Sequence, residues 1–332
     1  MVKISEVARA AGVSTATVSR ALSSPETVKP ATRERVLRVV EELDYRPNAL
    51  ARQLRMQETK TVVVIVPTLI NPLFAEAIQG VEMEAAANGY QVLVADIQKQ
   101  KAVENYYMNA IRQRQIDGII SMSASVAGKI VEEVAEEYPL VVAIQSFPDR
   151  RIPNVSIDNA AAARAMMTHL LRMGHRKIAH ITASSTLTVY QDRLDSYRSA
   201  LCEQGLDVDE ELICRGEATI RGGYEQMEAL LSGGREFTAV FCAGDTMAMG
   251  AIKALKQHGL RVPQDVAVCG FDDVEQAAFW DPALTTIRQP KQEIGRAAFR
   301  KLLAKIRKEP MPVTRDLLPY ELVIRDSCGY FL

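Results

Sequence analysis

The chain has 332 residues, 48% hydrophobic and 24% charged, enough for two or three domains with their own cores and too mixed for a disordered or membrane-embedded protein. No apolar run approaches the roughly 18 residues of a membrane helix, and no basic stretch leads into an apolar segment with a cleavage site, so the chain is expected to stay in the cytoplasm. The formal charge of −1 is uneven: residues 1–60 hold eleven Lys and Arg against seven Asp and Glu, a net of +4, which leaves −5 for the remainder.

The first patterned stretch, Ile4 to Leu22 (ISEVARAAGVSTATVSRAL), reads as two short helices around a tight turn. Ile4, Val7, Ala8 and Ala11 recur at helical spacing, Gly12 can turn the chain sharply, and Ser14 stands where an N-cap is wanted. From Thr15 the second helix buries Val18, with Ala21 and Leu22, and leaves Thr15, Ala16, Ser19 and Arg20 outside. Helices this short need a third to close a core. Pro30 to Leu43 supplies it, with Pro30 at a first helical position and Val36, Val39, Val40 and Leu43 inward. A helix-turn-helix can place one helix in the major groove, where Arg20 would reach guanine O6 and N7 with two parallel bonds and the small Thr15 and Ala16 could meet base edges. Ser14, Thr32 and Tyr45 would hold phosphates, and Thr17 is counted with the DNA-contacting set. A helical bundle without nucleic acid would show the same bare pattern; the +4 charge of residues 1–60 favours DNA.

Tyr45 to Asn48 then makes an extended turn, Ala49 to Leu54 (ALARQL) a helix-capable segment with Asn48 as its cap, and Arg55 to Lys60 a linker. ALARQL is too short to fold alone, so its helix would depend on docking. From Thr61 strands and helices alternate. TVVVIVP is a continuous apolar run suited to a parallel strand buried on both faces. After it come a helix from about Pro72 to Asn88 stopped by Gly89, strand YQVLVADI, a helix near Val103 to Arg114, strand GIISMSA, a helix from Gly128 to Glu137 and strand LVVAIQS. A second series begins near Asp158 with a helix to Met173, strand KIAHITA, helix Gln191 to Gln204, strand LICRGE, helix Gly222 to Leu231, strand TAVFCAG, helix Thr246 to His258 and strand VAVCGFD. A late helix (Gln292 to Ile306) and a last strand (Tyr320 to Arg325) are expected to cross back between the lobes. Two doubly wound parallel sheets account for this order. The domain reading is 1–46 for the headpiece, 47–60 for a hinge and linker, 61–157 with 289–319 for one core lobe, and 158–288 with 320–332 for the other. The five cysteines form no CxxC and are expected to be free buried thiols.

Ligands of such sheets bind beyond the carboxyl ends of the strands, here in the cleft between two lobes. The residues to inspect are Asn71 to Phe74, Gln145 with Phe147, Ser184 to Arg193, Glu217 to Thr219, Gly244 with Asp245, and Phe271 with Asp272. Arg193, near a helix start, and Asp272, ending a strand, could grip a hydroxylated or heterocyclic ligand from opposite sides of the cleft, or form a structural ion pair. Phe74 could stack on a ring or belong to the core, and Asp245 reads most simply as an N-cap or first-turn acid. His175 and His180 are badly spaced for a metal; no phosphate loop, nucleophile elbow or HExxH occurs; Gly222-Gly223 and Gly233-Gly234 read as turns. No catalytic residue, metal or cofactor is expected.

STATVSRAL after AGV, Tyr45-Arg46-Pro47-Asn48, ALARQL, NPLFAEAIQGVE, Ile157-Asp158-Asn159, Gly174-His175-Arg176, FCAGD with MAMGAI, LRVPQDVAVCGFDD and PALTTIRQP together resemble the lactose repressor (LacI) family of bacterial transcription regulators, over essentially the whole length. The resemblance implies an N-terminal all-α helix-turn-helix headpiece and an α/β two-lobed core like that of periplasmic binding proteins. It implies a homodimer on a pseudo-palindromic operator in double-stranded DNA, with Thr15, Ala16 and Arg20 reading bases. It also implies that Asn48 to Arg55 becomes a hinge helix, Leu54 wedging into the minor groove with Ala51 and Arg55 beside it. A small-molecule effector would change the angle between the lobes and so order or melt the hinge. By the same carry-over its contacts are Leu73, Phe74, Gln145, Arg193 and Asp272, with Asp158, Val189, Ala218 and Thr219. The chain departs from the pattern in four places. Ala218 stands where members place a stacking aromatic, Val189 is apolar where purine-binding members are polar, Gln145 replaces a frequent acid, and Lys29 stands where a capping Ser is usual. The wording is nearest to the cytidine and purine repressors, which suggests a nucleoside or nucleobase, with a sugar or sugar phosphate as the alternative. A solute-binding protein without DNA function would need an export signal instead of the basic headpiece.

Overall fold

Three short helices open the chain: α1 (Ile4–Ala11), α2 (Thr15–Ser23) and α3 (Pro30–Glu42). They close around Val7, Ala8, Ala11, Val18, Ala21, Val36 and Val39, with Ile4, Leu22, Val40, Leu43 and Tyr45 half-buried against that core. Gly12 turns α1 into α2 at φ 62° and ψ 40°, a left-handed conformation that costs an ordinary residue roughly 1–2 kcal/mol. Ser14 caps α2 by accepting from the Thr17 amide at 3.1 Å. α3 starts at Pro30 with no side-chain cap from Lys29. A short 3-10 turn at Pro25–Thr27, not anticipated from the sequence, joins α2 to α3.

This computed structural model describes residues 2–45, 58–97, 101–123, 137–145, 152–184, 187–311 and 314–329, and the chain divides into two units, Met1–Thr59 and Lys60–Leu332. In the larger unit β1 (Thr61–Val66), β2 (Gln91–Asp96), β3 (Gly118–Ser121), β4 (Leu140–Ala143), β5 (Asn154–Ile157) and the late strand β11 (Arg315–Leu318) form a six-stranded parallel sheet ordered β11-β5-β4-β3-β1-β2. Its helices explain the apolar run of β1. Val62, Val64 and Val66 face α4 (Pro72–Ala87) and α11 (Lys291–Ile306), while Val63 and Ile65 share a cluster with Met108 and Ile111 of α5 (Lys101–Arg112). With helices on both faces, alternation in the strand has nothing to select for.

The second sheet is parallel and four-stranded, β6 (Ile178–Ala183), β7 (Ile213–Gly216), β8 (Ala239–Cys242) and β9 (Ala267–Cys269), ordered β7-β6-β8-β9. One face packs on α6 (Asn159–Arg172) and α7 (Thr188–Glu203) through Leu170, Leu194 and Tyr197. The other packs on α8 (Ile220–Ser232) and α9 (Asp245–Gln257) through Met227, Leu230, Met247 and Ala248. A short helix α10 (Glu275–Phe279) follows β9, and β10 (Thr286–Arg288) pairs antiparallel with β12 (Glu321–Val323) where the chain passes between the lobes.

Several elements correct the sequence reading. β5, β10 and β11 were not anticipated, and the last strand is the three residues Glu321–Val323 rather than Tyr320 to Arg325. The helix expected from Gln191 begins at Thr188, and Gly222 and Gly223 lie inside the first turn of α8 rather than in a turn. Their smallness is required there, since a Cβ on Gly223 would sit 2.1 Å from Met247 O of α9. The same close approach joins α4 to α11, where a Cβ on Gly295 would sit 2.0 Å from Ala77 O. All five cysteines are free, but only Cys242, Cys269 and Cys328 are buried; Cys214 is half-buried and Cys202 is exposed on α7. Most of the expected helix of 128–137, and Phe147, lie outside the described residues. Among the described residues no helix is long and apolar enough to cross a membrane.

Candidate functional site

In the headpiece the chemistry lies on α2. Thr15, Ala16 and Arg20 are exposed, whereas Val18 and Ala21 on the opposite side are buried. Ser14 Oγ lies 2.9 Å from Thr17 Oγ1 as well as capping the helix, so these two hydroxyls are tied to each other and to the start of α2. Thr32 and Tyr45 are half-buried at the start and beyond the end of α3. The surface is therefore one cation with small polar neighbours on a rigid helix, suited to base edges in a groove. Asn48, Ala51, Leu54 and Arg55 lie outside the described residues.

In the core the strand ends converge on a buried charge cluster. Arg193 enters from α7 and is 3% exposed. Its Nε and Nη2 donate to Asn159 Oδ1 at 3.1 and 2.8 Å, its Nη1 donates to Ala243 O, and its guanidinium lies 3.5 Å from the centre of the Phe271 ring. Asp272 Oδ1 is 3.7 Å from Arg193 Nη2 and accepts from Gln289 Nε2 at 2.7 Å. The expectation of a cation and a carboxylate on opposite sides of a cleft is thus corrected. Both belong to the second lobe, because α7 follows β6 and Asp272 follows β9, strands separated by β8 alone in the sheet.

A second carboxylate stands behind the first. Asp245 is fully buried; Gly244 is the N-cap of α9, so of the two roles the sequence offered Asp245 takes that of the first-turn acid and not the cap. Its side chain instead accepts from Val274 N at 2.9 Å and from the Thr286 hydroxyl at 2.6 Å, fixing the segment after β9. Long-range contacts of this kind leave no mark in local spacing. Burial pushes the carboxyls of Asp272 and Asp245 above the ordinary range, and at Asp272 the nearby Arg193 charge opposes that rise. Tyr190, one turn before Arg193 on α7, is pushed up to about 12 by burial.

The remaining candidates are placed differently. Leu73 and Phe74, in the first turn of α4, are 5% exposed each and belong to the apolar core; Asn71 holds that turn by accepting from Leu73 N at 3.0 Å. Val189 is buried on α7, and Ala218 packs half-buried against the second-lobe core. Asp158 and Thr219 are N-caps, accepting from Ala161 N and Gly222 N at 2.9 Å each. Gln145, beyond β4, is 2% exposed; its backbone carbonyl takes a bond from Asn154, and its Oε1 has no partner among the described residues. The structure thus brings Arg193 and Asp272 together and adds Asn159, Phe271, Asp245 and Gln289, of which Asn159 and Gln289 had been visible only as letters within recurring segments. Nearby, between the lobes, a cavity of about 750 Å³ is lined by Glu76, Asp273, Arg288, Gln289 and Lys291 among others.

Residues 3–48 match the family described as bacterial regulatory proteins, lacI family, and residues 167–328 match the periplasmic binding protein-like domain. The HTH-type transcriptional repressor CytR of Escherichia coli (strain K12) is 39% identical over 323 residues, 97% of this chain and 95% of that one. The ribose operon repressor of Haemophilus influenzae is 36% identical over 328 residues, 98% of each chain. A solved structure of the lac repressor dimer bound to operator and the anti-inducer ONPF is similar at a TM-score of 0.86 and 26% identity, covering 98% of this chain and 99% of that one.

Proposed function

The chain belongs to the lacI family of bacterial regulatory proteins, a DNA-binding transcriptional repressor with a ligand-binding core, and from that premise we propose that it acts as a homodimer on a pseudo-palindromic operator under the control of a nucleoside or nucleobase bound between its lobes. The observation that carries the effector half is the buried cluster of Arg193, Asn159 and Asp272 at the carboxyl ends of the strands. A guanidinium beside a carboxylate offers donors and acceptors together, which suits the vicinal hydroxyls of a sugar ring. Leu73, Phe74 and Val189 give apolar walls, with Asp158, Ala218 and Thr219 at the rim. Gln145 Oε1, buried without a partner among the described residues, is an acceptor that the exocyclic amine of a base would satisfy, which accords with a nucleoside. The alternative is a sugar or sugar phosphate, in keeping with the name of the 36% identical ribose operon repressor; it would use the same hydroxyl-binding pair.

In the DNA half Thr15, Ala16 and Arg20 read bases while Ser14, Thr17, Thr32 and Tyr45 meet the backbone, and Asn48 to Arg55 forms the hinge with Leu54 as its wedge. Support for the homodimer comes from exposed apolar surface. Leu93 and Val94, 49% and 37% exposed, lie on β2 at the edge of the six-stranded sheet, and Met83 of α4 is 50% exposed. Phe279 of the second lobe is 83% exposed. An uncovered apolar edge strand is a liability that a second copy removes.

The test is a thermal-shift screen of nucleosides, bases, sugars and sugar phosphates against the full chain. A ligand at a hundred times its Kd stabilises by about 2.7 kcal/mol, enough to raise the transition visibly. Stabilisation by sugars and by no nucleoside would reject the nucleoside reading. A salt-dependent shift of DNA from the gene's own upstream region tests the other half.

A further inference from the structure

Lys291 opens α11 of the first lobe, yet its side chain is 6% exposed and reaches toward the second. Its ammonium donates to Asp272 O at 3.3 Å, to Asp273 O, and to Glu76 Oε1 of α4 at 2.9 Å. Three acceptors match its three donors, as a charge at this burial requires.

The two carbonyls belong to a strained turn. Asp272 and Asp273 adopt φ of 115° and 49°, conformations that side chains with a Cβ keep only when their surroundings over-determine them. Much of that determination comes from nearby in sequence or from the second lobe: Asp272 N donates to Ile287 O at 2.9 Å, Val274 N to Asp245 at 2.9 Å, and Gln289 Nε2 to Asp272 Oδ1 at 2.7 Å. None of these three bonds reaches α4, whereas Lys291, bonded to both carbonyls of the turn, continues to it through Glu76. Glu76 stands one turn beyond Leu73 and Phe74, at the end of α4 that faces the cleft. A groove of about 750 Å³ opens beside the pair, lined by Glu76, Asp273 and Lys291 among others.

We propose that Lys291 is a positioning residue that couples the Asp272 turn to α4, so that a change in the turn reaches the first lobe through the Lys291–Glu76 ion pair. The proposal rests on the reading of this cleft as the effector site, but its test needs no effector. Hydrogen exchange read by mass spectrometry on the full ligand-free chain compares Lys291→Met, Glu76→Gln and the double variant with the parent. Glu76→Gln should speed exchange of the Asp272 and Val274 amides about threefold, although residue 76 lies on the far side of Lys291. Lys291→Met should speed the same amides about tenfold together with the first-turn amides of α4, and the double variant should match Lys291→Met, because the two changes cut one path. A turn unmoved by Glu76→Gln would overturn the proposal and leave Lys291 a local support. Equal acceleration throughout β6 and β8 would overturn it as well, since that is the mark of lost global stability. A ligand screen without hits would leave a positive exchange result standing, and a negative exchange result would leave the screen standing.

Discussion

Replacing Arg193 by Met removes the cation from the buried cluster while roughly keeping its volume. The loss has two parts. The first does not depend on pH: Asn159 Oδ1 loses two donors and Ala243 O loses one, leaving buried acceptors without their partners, which costs about 1–3 kcal/mol. The second does depend on it. Burial raises the Asp272 carboxyl, and Arg193 holds that rise in check. An acid whose folded-state pKa lies above its unfolded value keeps an extra proton in the native state between the two, so its contribution to stability falls as pH climbs through the folded value. Without Arg193 that value climbs further, and the deficit of the variant grows with pH. Toward the acid end of a pH 5–8 series the protonated fraction of Asp272 is greatest, and the first part dominates. Toward the alkaline end holding a carboxylate there without its cation becomes the larger part, and the deficit rises toward about 3–5 kcal/mol. Urea unfolding of both chains across this range measures it, and adding Asp272→Asn to the variant should flatten the pH dependence. An equal deficit near pH 5 and pH 8 would refute the assignment of Arg193 as the counter-ion of Asp272.

Two substitutions address the scaffold and the headpiece. Gly295→Ala places a Cβ 2.0 Å from Ala77 O, so α11 must part from α4 at a cost of about 1–3 kcal/mol in urea unfolding; full stability would mean that the two backbones yield freely. Arg20→Ala should cost about 1–3 kcal/mol in operator affinity and relax preference at one base pair per half-site, measured on operator variants at fixed salt. A loss spread evenly over all sequences would instead make Arg20 a phosphate contact.

What could be read from the sequence followed from local physics. The helix-turn-helix was legible because Gly12, Ser14 and the apolar spacing of α1 and α3 each act within a few residues. The two-lobed α/β core was legible because β1 and β8 are buried on both faces and so appear as apolar runs. β5 was missed for the reverse reason: buried Asn154 and Ser156 alternate with Val155 and Ile157, and the polar pair is satisfied by bonds to Gln145 O and to each other that no spacing announces. β11, with Arg315 and Asp316 on a sheet edge, lacks an apolar run altogether. In the cleft the residue types of Arg193 and Asp272 were visible, but their pairing within one lobe required the strand order. The true work of Asp245, bonding Val274 and Thr286 from 29 and 41 residues away, required the tertiary fold.

The place of β11 in its sheet bears on how the protein is made. During synthesis the second sheet has all four strands once Cys269 has emerged, whereas the first, begun at Thr61, keeps β5 as a bare edge until Arg315–Leu318 arrives. α11, which supplies Ile294, Ala298, Phe299 and Leu302 to the core beneath β1, comes equally late. From the end of β5 at Ile157 to the end of β11 at Leu318 a ribosome adding about 5–20 residues per second needs on the order of ten seconds or more. The parallel sheet that is begun first is therefore completed after the one begun second, and for that interval its edge strand and apolar floor are surfaces that the cell must keep from other chains.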